Sequence, residues 1–247
     1  MKKSFFEISY EEGEEYIKTY LVVGAIAQKE GMDVTEQEIQ EFNGEKYRDY
    51  SEEEKTYASM GYRAYWQPNN EQILGFTTCG HVIRTSIDNK IYMGTKLKRI
   101  MGTLQVARYA GTIDMSFVKT APGYSVGRRV KYSDNVGGDT NGDVIAQNIY
   151  MTSVAEGSTI YKVGYVTYRT AGKVIDTNYD VTYKGGVTIK NLTKTTAHVE
   201  SGDSGGIVYT RFDAKNIPCG VISGHSGSSS LYTKAVNAVN VMNIYPY

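Results

Sequence analysis

Proline and cysteine are scarce in this chain: 4 and 2 residues in 247. Two cysteines, Cys79 and Cys219, cannot build a disulfide-dense framework, and although the sequence leaves their pairing open we read them as free and buried. Net charge is also absent, since 27 Lys and Arg stand against 27 Asp and Glu. That removes the broad electrostatic reason to expect a nucleic acid or an anionic membrane as partner. The longest apolar stretch, Tyr20 to Ala27, falls far short of the roughly 20 residues a spanning helix needs. The opening MKKSFFEISYEEGEEYIK has a basic tip but then glutamates where a secretory leader needs an apolar core, so no signal peptide is read in it.

What is abundant is glycine, at 26, and tyrosine, at 22. The two are unevenly placed. Residues 1–54 are rich in Glu, Lys and Gln, with helical spacing of Tyr16, Leu21, Val22 and Ala25 and a capping box at Thr35 and Glu38, and they predict two helices, either a surface-packed helical extension or the remnant of a pro-segment that aids folding. Residues 55–247 instead break into short period-two runs such as YRAYW, ILGFTT, KIYMG, DMSFVK, KVGYVTY, KVIDTNYDVTY, GGIVYT and CGVIS, punctuated by Gly, Asn and Asp. With no helical run long enough for crossovers, this region predicts an all-β barrel or sandwich, followed by a helix over Ala235 to Ile244.

GGDTNGD, Gly137 to Asp143, sets Asp139, Asn141 and Asp143 at alternate positions like the start of a calcium loop. Val144 stands where the turn glycine belongs and Tyr150 where the bidentate glutamate belongs, so we read a plain turn and no metal site.

The chemistry concentrates in VESGDSGGIVY, Val199 to Tyr209. Three glycines around one serine are costly in a plain strand, but they let two backbone N–H groups turn toward a point beside the hydroxyl, as an oxyanion hole requires. The hydroxyl needs a base, and the chain has three histidines: His81, His198 and His225. His81 ends the apolar run GFTTCGHVI, where a strand would deliver it to a cleft. Asp114, in GTIDMSFVK, is an acid at the mouth of another apolar run, so its burial demands a hydrogen-bonding partner, and an imidazole would serve. The order His81, Asp114, Ser204 belongs to one class of serine hydrolase.

From about Tyr57 onward the sequence resembles the chymotrypsin-like (trypsin-like) serine peptidases, in particular the bacterial streptogrisin and α-lytic branch. TTCGHVI, DMSFVK, GDSGG, GVISGHSG and LYTKAVNAV correspond in order to that family's histidine, aspartate, nucleophile, substrate-strand and final-helix blocks. The resemblance implies two six-stranded antiparallel β-barrels with the active site in the cleft between them. It implies Ser204 as nucleophile, His81 as general base, Asp114 as its orienting acid, and the N–H groups of Gly202 and Ser204 as the oxyanion hole. It places Ser223, Gly224 and His225 on the strand that pairs with substrate, with His198 and Ser230 near the side-chain pocket. Asp203 needs a buried cation, for which Arg169 is the candidate.

The sequence also departs from that pattern. Val82 follows the histidine where the family often has a disulfide-bonded cysteine, and Ile207 replaces a common proline. His198 and His225 could together favour an acidic side chain, but two hydrogen-bonded structural histidines are the preferred reading. The expectations are therefore a serine endopeptidase acting on peptide or protein substrates, needing no cofactor, monomeric, without nucleic acid or membrane partners. An extracellular or cell-envelope location follows from the family alone. A catalytically silent peptide-binding homologue is the alternative, and an esterase a third reading.

Overall fold

The computed structural model describes residues 21–24, 55–83, 89–93, 100–130, 142–183 and 185–247. The expected N-terminal helices mostly fall outside this set, as do Gly137 to Asn141 of the calcium-like motif. The one described piece of the N-terminal segment corrects the helical expectation: Leu21–Gly24 is a strand, β1, paired with Lys55–Ala58 (β2). LVVG carries two β-branched residues and a glycine, a local composition that favours an extended chain over a helix.

Strands β3 (Arg63–Trp66), β4 (Ile73–Thr78), β5 (Lys90–Met93), β6 (Ile100–Ala110) and β7 (Ile113–Thr120) follow, with the short helix α1 (Gly80–Ile83) directly after β4. A second group comprises β8 (Thr159–Gly164), β9 (Tyr168–Thr182), β10 (Thr188–Thr195), β11 (Ile207–Phe212), β12 (Lys215–Ser226) and β13 (Ser229–Lys234). The chain ends in α2 (Ala235–Met242) and β14 (Ile244–Pro246). All-β architecture in two antiparallel sheets is thus as expected. The second group closes into a six-stranded barrel; the first sheet holds β2 to β7 together with β1 and the C-terminal β14, eight strands in all.

Central position explains the burial pattern of β7. It lies between β4 and β6, and every residue from Ile113 to Val118 is buried, including Asp114 and Ser116. Met115 and Phe117 face a core shared between the sheets with Tyr62, Ile207, Tyr209 and Val221. Phe76, Ile83, Ile91 and Val118 fill the first sheet, and Ile160, Val174, Val208, Ile222 and Tyr232 fill the barrel. The helix at the C terminus forms where expected but stops at Asn243, whose left-handed φ of 55° caps it and turns the chain into β14. Ile244 to Pro246 then pair with β3, tying the chain's end to the first sheet.

Candidate active site

Asp114 is the anchor of the site. Its side chain has no exposure, and a bare carboxylate there would be prohibitive, so the fold surrounds it with donors. Oδ1 accepts the backbone N–H groups of Gly80 and His81, each at 2.8 Å, from the first turn of α1. Oδ2 accepts His81 Nδ1 at 2.8 Å and the Ser223 hydroxyl at 2.5 Å. The same carboxylate therefore fixes both the turn that carries His81 and its ring, leaving the ring 27 % exposed. Burial penalises the imidazolium, but the Cys79 sulfur and the Asp114 carboxylate outweigh it and raise the ring's pKa well above its ordinary 6.5.

The loop bearing Ser204 reaches this corner by close backbone approach. Ser59 N–H donates to the Ser204 carbonyl at 2.7 Å, and Gly205 N–H to the Ile222 carbonyl at 2.7 Å. Gly205 has φ +86°, and a Cβ there would sit 2.2 Å from Thr78 Oγ1 and 2.8 Å from Cys79 N, so only glycine lets the Ser204 loop lie against the strand leading to His81. Gly202, at φ +100°, forms the other shoulder. The half-buried Ser204 hydroxyl makes no hydrogen bond among the described residues, nor do the N–H groups of Gly202 and Ser204. Nucleophile–base contacts commonly tighten only when substrate binds.

Asp203, between these residues, points the other way and is fully buried. Its cation is Lys162, not the expected Arg169. Lys162 Nζ lies 3.1 Å from Asp203 Oδ2, also contacts Thr167 Oγ1, and donates to the Tyr168 carbonyl. N–H groups of Val166, Thr167 and Glu200 complete the carboxylate's shell. Burial works against ionisation, but the Thr167 hydroxyl, Lys162 and the backbone donors outweigh it and hold Asp203 below its ordinary 3.8. Arg169 instead lies 3.3 Å from Asp143 and 3.1 Å from the Tyr209 hydroxyl, stacked over Tyr161. Pleating is the reason for the correction. Val163 pairs with Arg169 while Lys162 pairs with Thr170, so the two cations project from opposite faces of the β8–β9 ribbon. Lys162 alternates with Ile160 and Gly164 on the buried face of TIYKVG.

The expected substrate residues separate. Ser223 is buried and committed to Asp114, with the Tyr183 hydroxyl 3.0 Å behind it. Gly224 and His225 follow on the same strand, with His225 exposed and paired in register with Ser230. Ser230 is buried, 2.6 Å from Thr195 Oγ1. His198 is exposed and bonded to Glu200 at 3.0 Å, as a hydrogen-bonded surface group would be. Asp143 is occupied by Arg169 and Tyr209, and Cys79 and Cys219 are free and buried.

No protein-family model matches the sequence, and no curated protein matches it. Solved structures do. The chain is similar to a chymotrypsin from Cellulomonas bogoriensis at 24 % identity and a TM-score of 0.56, over 76 % of this chain and 89 % of that one. A glutamic-acid-specific serine protease described as using a histidine triad in substrate binding matches at 24 % and 0.60, over 78 % and 94 %. Protease A of Thermobifida fusca matches at 23 % and 0.59, over 77 % and 91 %. These likenesses show that the chain has the chymotrypsin-like serine peptidase fold.

Proposed function

We propose that this chain is a serine endopeptidase that hydrolyses peptide bonds through an acyl-enzyme at Ser204. The observation that carries the reading is the bond from His81 Nδ1 to a fully buried Asp114 already saturated by two backbone donors and Ser223. Such a carboxylate can only hold the ring with its Nδ1 proton inward, which turns Nε2 outward as the acceptor. Ser204 Oγ would attack the scissile carbonyl as His81 takes its proton, the N–H groups of Gly202 and Ser204 would receive the oxyanion, and His81 would return the proton to the leaving amine. Water repeats the sequence to release the acid. Asp114 offsets the charge of the imidazolium in both halves without taking a proton. No step calls for a cofactor.

The substrate would be an extended peptide laid antiparallel along Ser223 to His225, and a monomer suffices for this. Among the described residues no helix is long and apolar enough to cross a membrane. An extracellular or cell-envelope location fits the bacterial proteases that share the fold. The histidine-triad mode named for the glutamate-specific neighbour cannot be copied, because the chain has three histidines and His81 is committed to Asp114.

The unpartnered Ser204 hydroxyl and the strongly basic His81 favour one other reading, a silent peptide-binding module. Hydrolysis of a mixed peptide library separates the two. The peptidase reading requires turnover by the wild type that falls about 10³-fold or more in Ser204→Ala and Asp114→Asn; binding without turnover would leave the silent module.

A further inference from the structure

Among the described residues Ser59 makes no hydrogen bond to His81 or to Ser223–His225, yet its bonds go to both residues that would form the oxyanion hole. It lies between β2 and β3, 4 % exposed. Its N–H donates to the Ser204 carbonyl at 2.7 Å, and its hydroxyl donates to the Gly202 carbonyl at 2.8 Å. The same hydroxyl accepts the Tyr165 N–H at 2.8 Å, and the Ser59 carbonyl accepts the Thr78 hydroxyl at 2.9 Å. Every polar atom of Ser59 is therefore engaged, and the partners belong to the Ser204 loop, the β8–β9 turn and the end of β4, three residues before His81.

We infer that Ser59 is a positioning residue for the oxyanion hole, an assignment that rests on the peptidase reading above. The reasoning is geometric. Gly202 and Ser204 are the residues whose N–H groups would meet the oxyanion, and the carbonyls of these two residues are held by one serine from the first sheet. Gly202, at φ +100°, has no Cβ to resist rotation. Asp203 is locked by its own cage, and the Ser59 hydroxyl, by holding the carbonyl of the Gly202–Asp203 peptide, fixes the ψ rotation of Gly202 and with it the chain from which the Gly202 N–H projects. A hydroxyl suits this place because it donates to one backbone group and accepts from another at once. Preorganised donors are effective because they need not reorient as charge develops.

The test compares wild type with Ser59→Ala and Ser59→Cys, which keeps the side-chain size but donates weakly. Three quantities are read: kcat and KM on one peptide substrate, the inhibition constant of a peptide aldehyde whose hemiacetal oxygen enters the hole, and that of the matching peptide amide. Removal of a hole donor itself costs about 10²- to 10³-fold in kcat; loss of its positioning should cost Ser59→Ala about 10-fold or more, with Ser59→Cys between. KM and amide binding should stay within about threefold, aldehyde affinity should fall in step with kcat/KM, and the acid limb of the pH profile should not move. A folded Ser59→Ala or Ser59→Cys that keeps aldehyde affinity, or that loses amide and aldehyde affinity equally, would overturn the assignment. A wild type without turnover defeats the peptidase reading at Ser204, and the assignment with it, in a recognisably different way.

Discussion

Lys162 Nζ and Asp203 Oδ2 stand 3.1 Å apart with side-chain exposures of 1 % and 0 %, directly beneath the loop that carries Ser204. An ion pair so enclosed is poor evidence of added stability, because desolvation offsets much of its attraction, but removing one partner strands the other. Lys162→Met should therefore cost about 3–5 kcal/mol and collapse activity as Asp203 is driven from its cage. Arg169→Ala loses a partly exposed bridge to Asp143, a bond to the Tyr209 hydroxyl and stacking on Tyr161, none of which reaches Asp203, and should keep activity within a few-fold. Denaturant melts and peptide kinetics on the two variants check this; equal losses in both would contradict the assignment of the cation.

The pH profile carries the signs of two shifts. His81 must be neutral to act as base, and its pKa is raised, so the acid limb of kcat/KM should lie above pH 6.5 rather than at it. The Cys79 sulfur contributes to that rise, so Cys79→Ala should move the limb to lower pH. At the alkaline end, burial lowers the pKa of Lys162 against the opposing pull of Asp203, so the ammonium is lost below the ordinary 10.5 and activity should decline there. A limb at or below 6.5 in the wild type would refute the first part.

Gly164 is a quieter constraint. A Cβ there would fall 2.4 Å from Asp203 Oδ1 and 2.5 Å from its Cγ, both atoms of a carboxylate that has no room to retreat. Gly164→Ala should lower kcat by at least tenfold and destabilise by about 1–3 kcal/mol, the usual range for overpacking. Thermal melts with matched kinetics would show it, and a fully active variant would mean the Asp203 cage is softer than its contacts imply.

Much of this was legible in the residues. ILGFTT and DMSFVK read as strands because apolar and β-branched residues dominate them, and GDSGG announced a strained loop because three glycines have no place in an ordinary strand. His81 and Asp114 are legible as a pair because a buried acid needs a partner. The failures share a cause, which is that pairing decides what local pattern leaves ambiguous. IMGTLQVARYA, residues 100 to 110, lacks clean alternation and is a long strand because β5 and β7 flank it. LVVG at 21–24 has helix-compatible spacing but pairs with β2. Arg169 and Lys162 are close in sequence, and only the pleat of the hairpin tells which of them faces Asp203.

Specificity should not depend on His198. Its ring is 64 % exposed and bound to Glu200, so His198→Ala should leave the ranking of peptide substrates unchanged, those with Glu or Asp at the cleaved bond included. Library profiling at two pH values on either side of the ordinary histidine pKa reads this directly. A selective loss of acidic substrates in the variant would place His198 in the pocket after all.

An activated nucleophile at Ser204 would be labelled covalently by a fluorophosphonate probe. The Ser204 oxygen would displace fluoride at phosphorus, with the phosphoryl oxygen held by the Gly202 and Ser204 N–H groups. Rapid labelling of the wild type is expected, abolished in Ser204→Ala and reduced by orders of magnitude in His81→Ala. A folded wild type that takes no label, or labelling that survives Ser204→Ala, would contradict it.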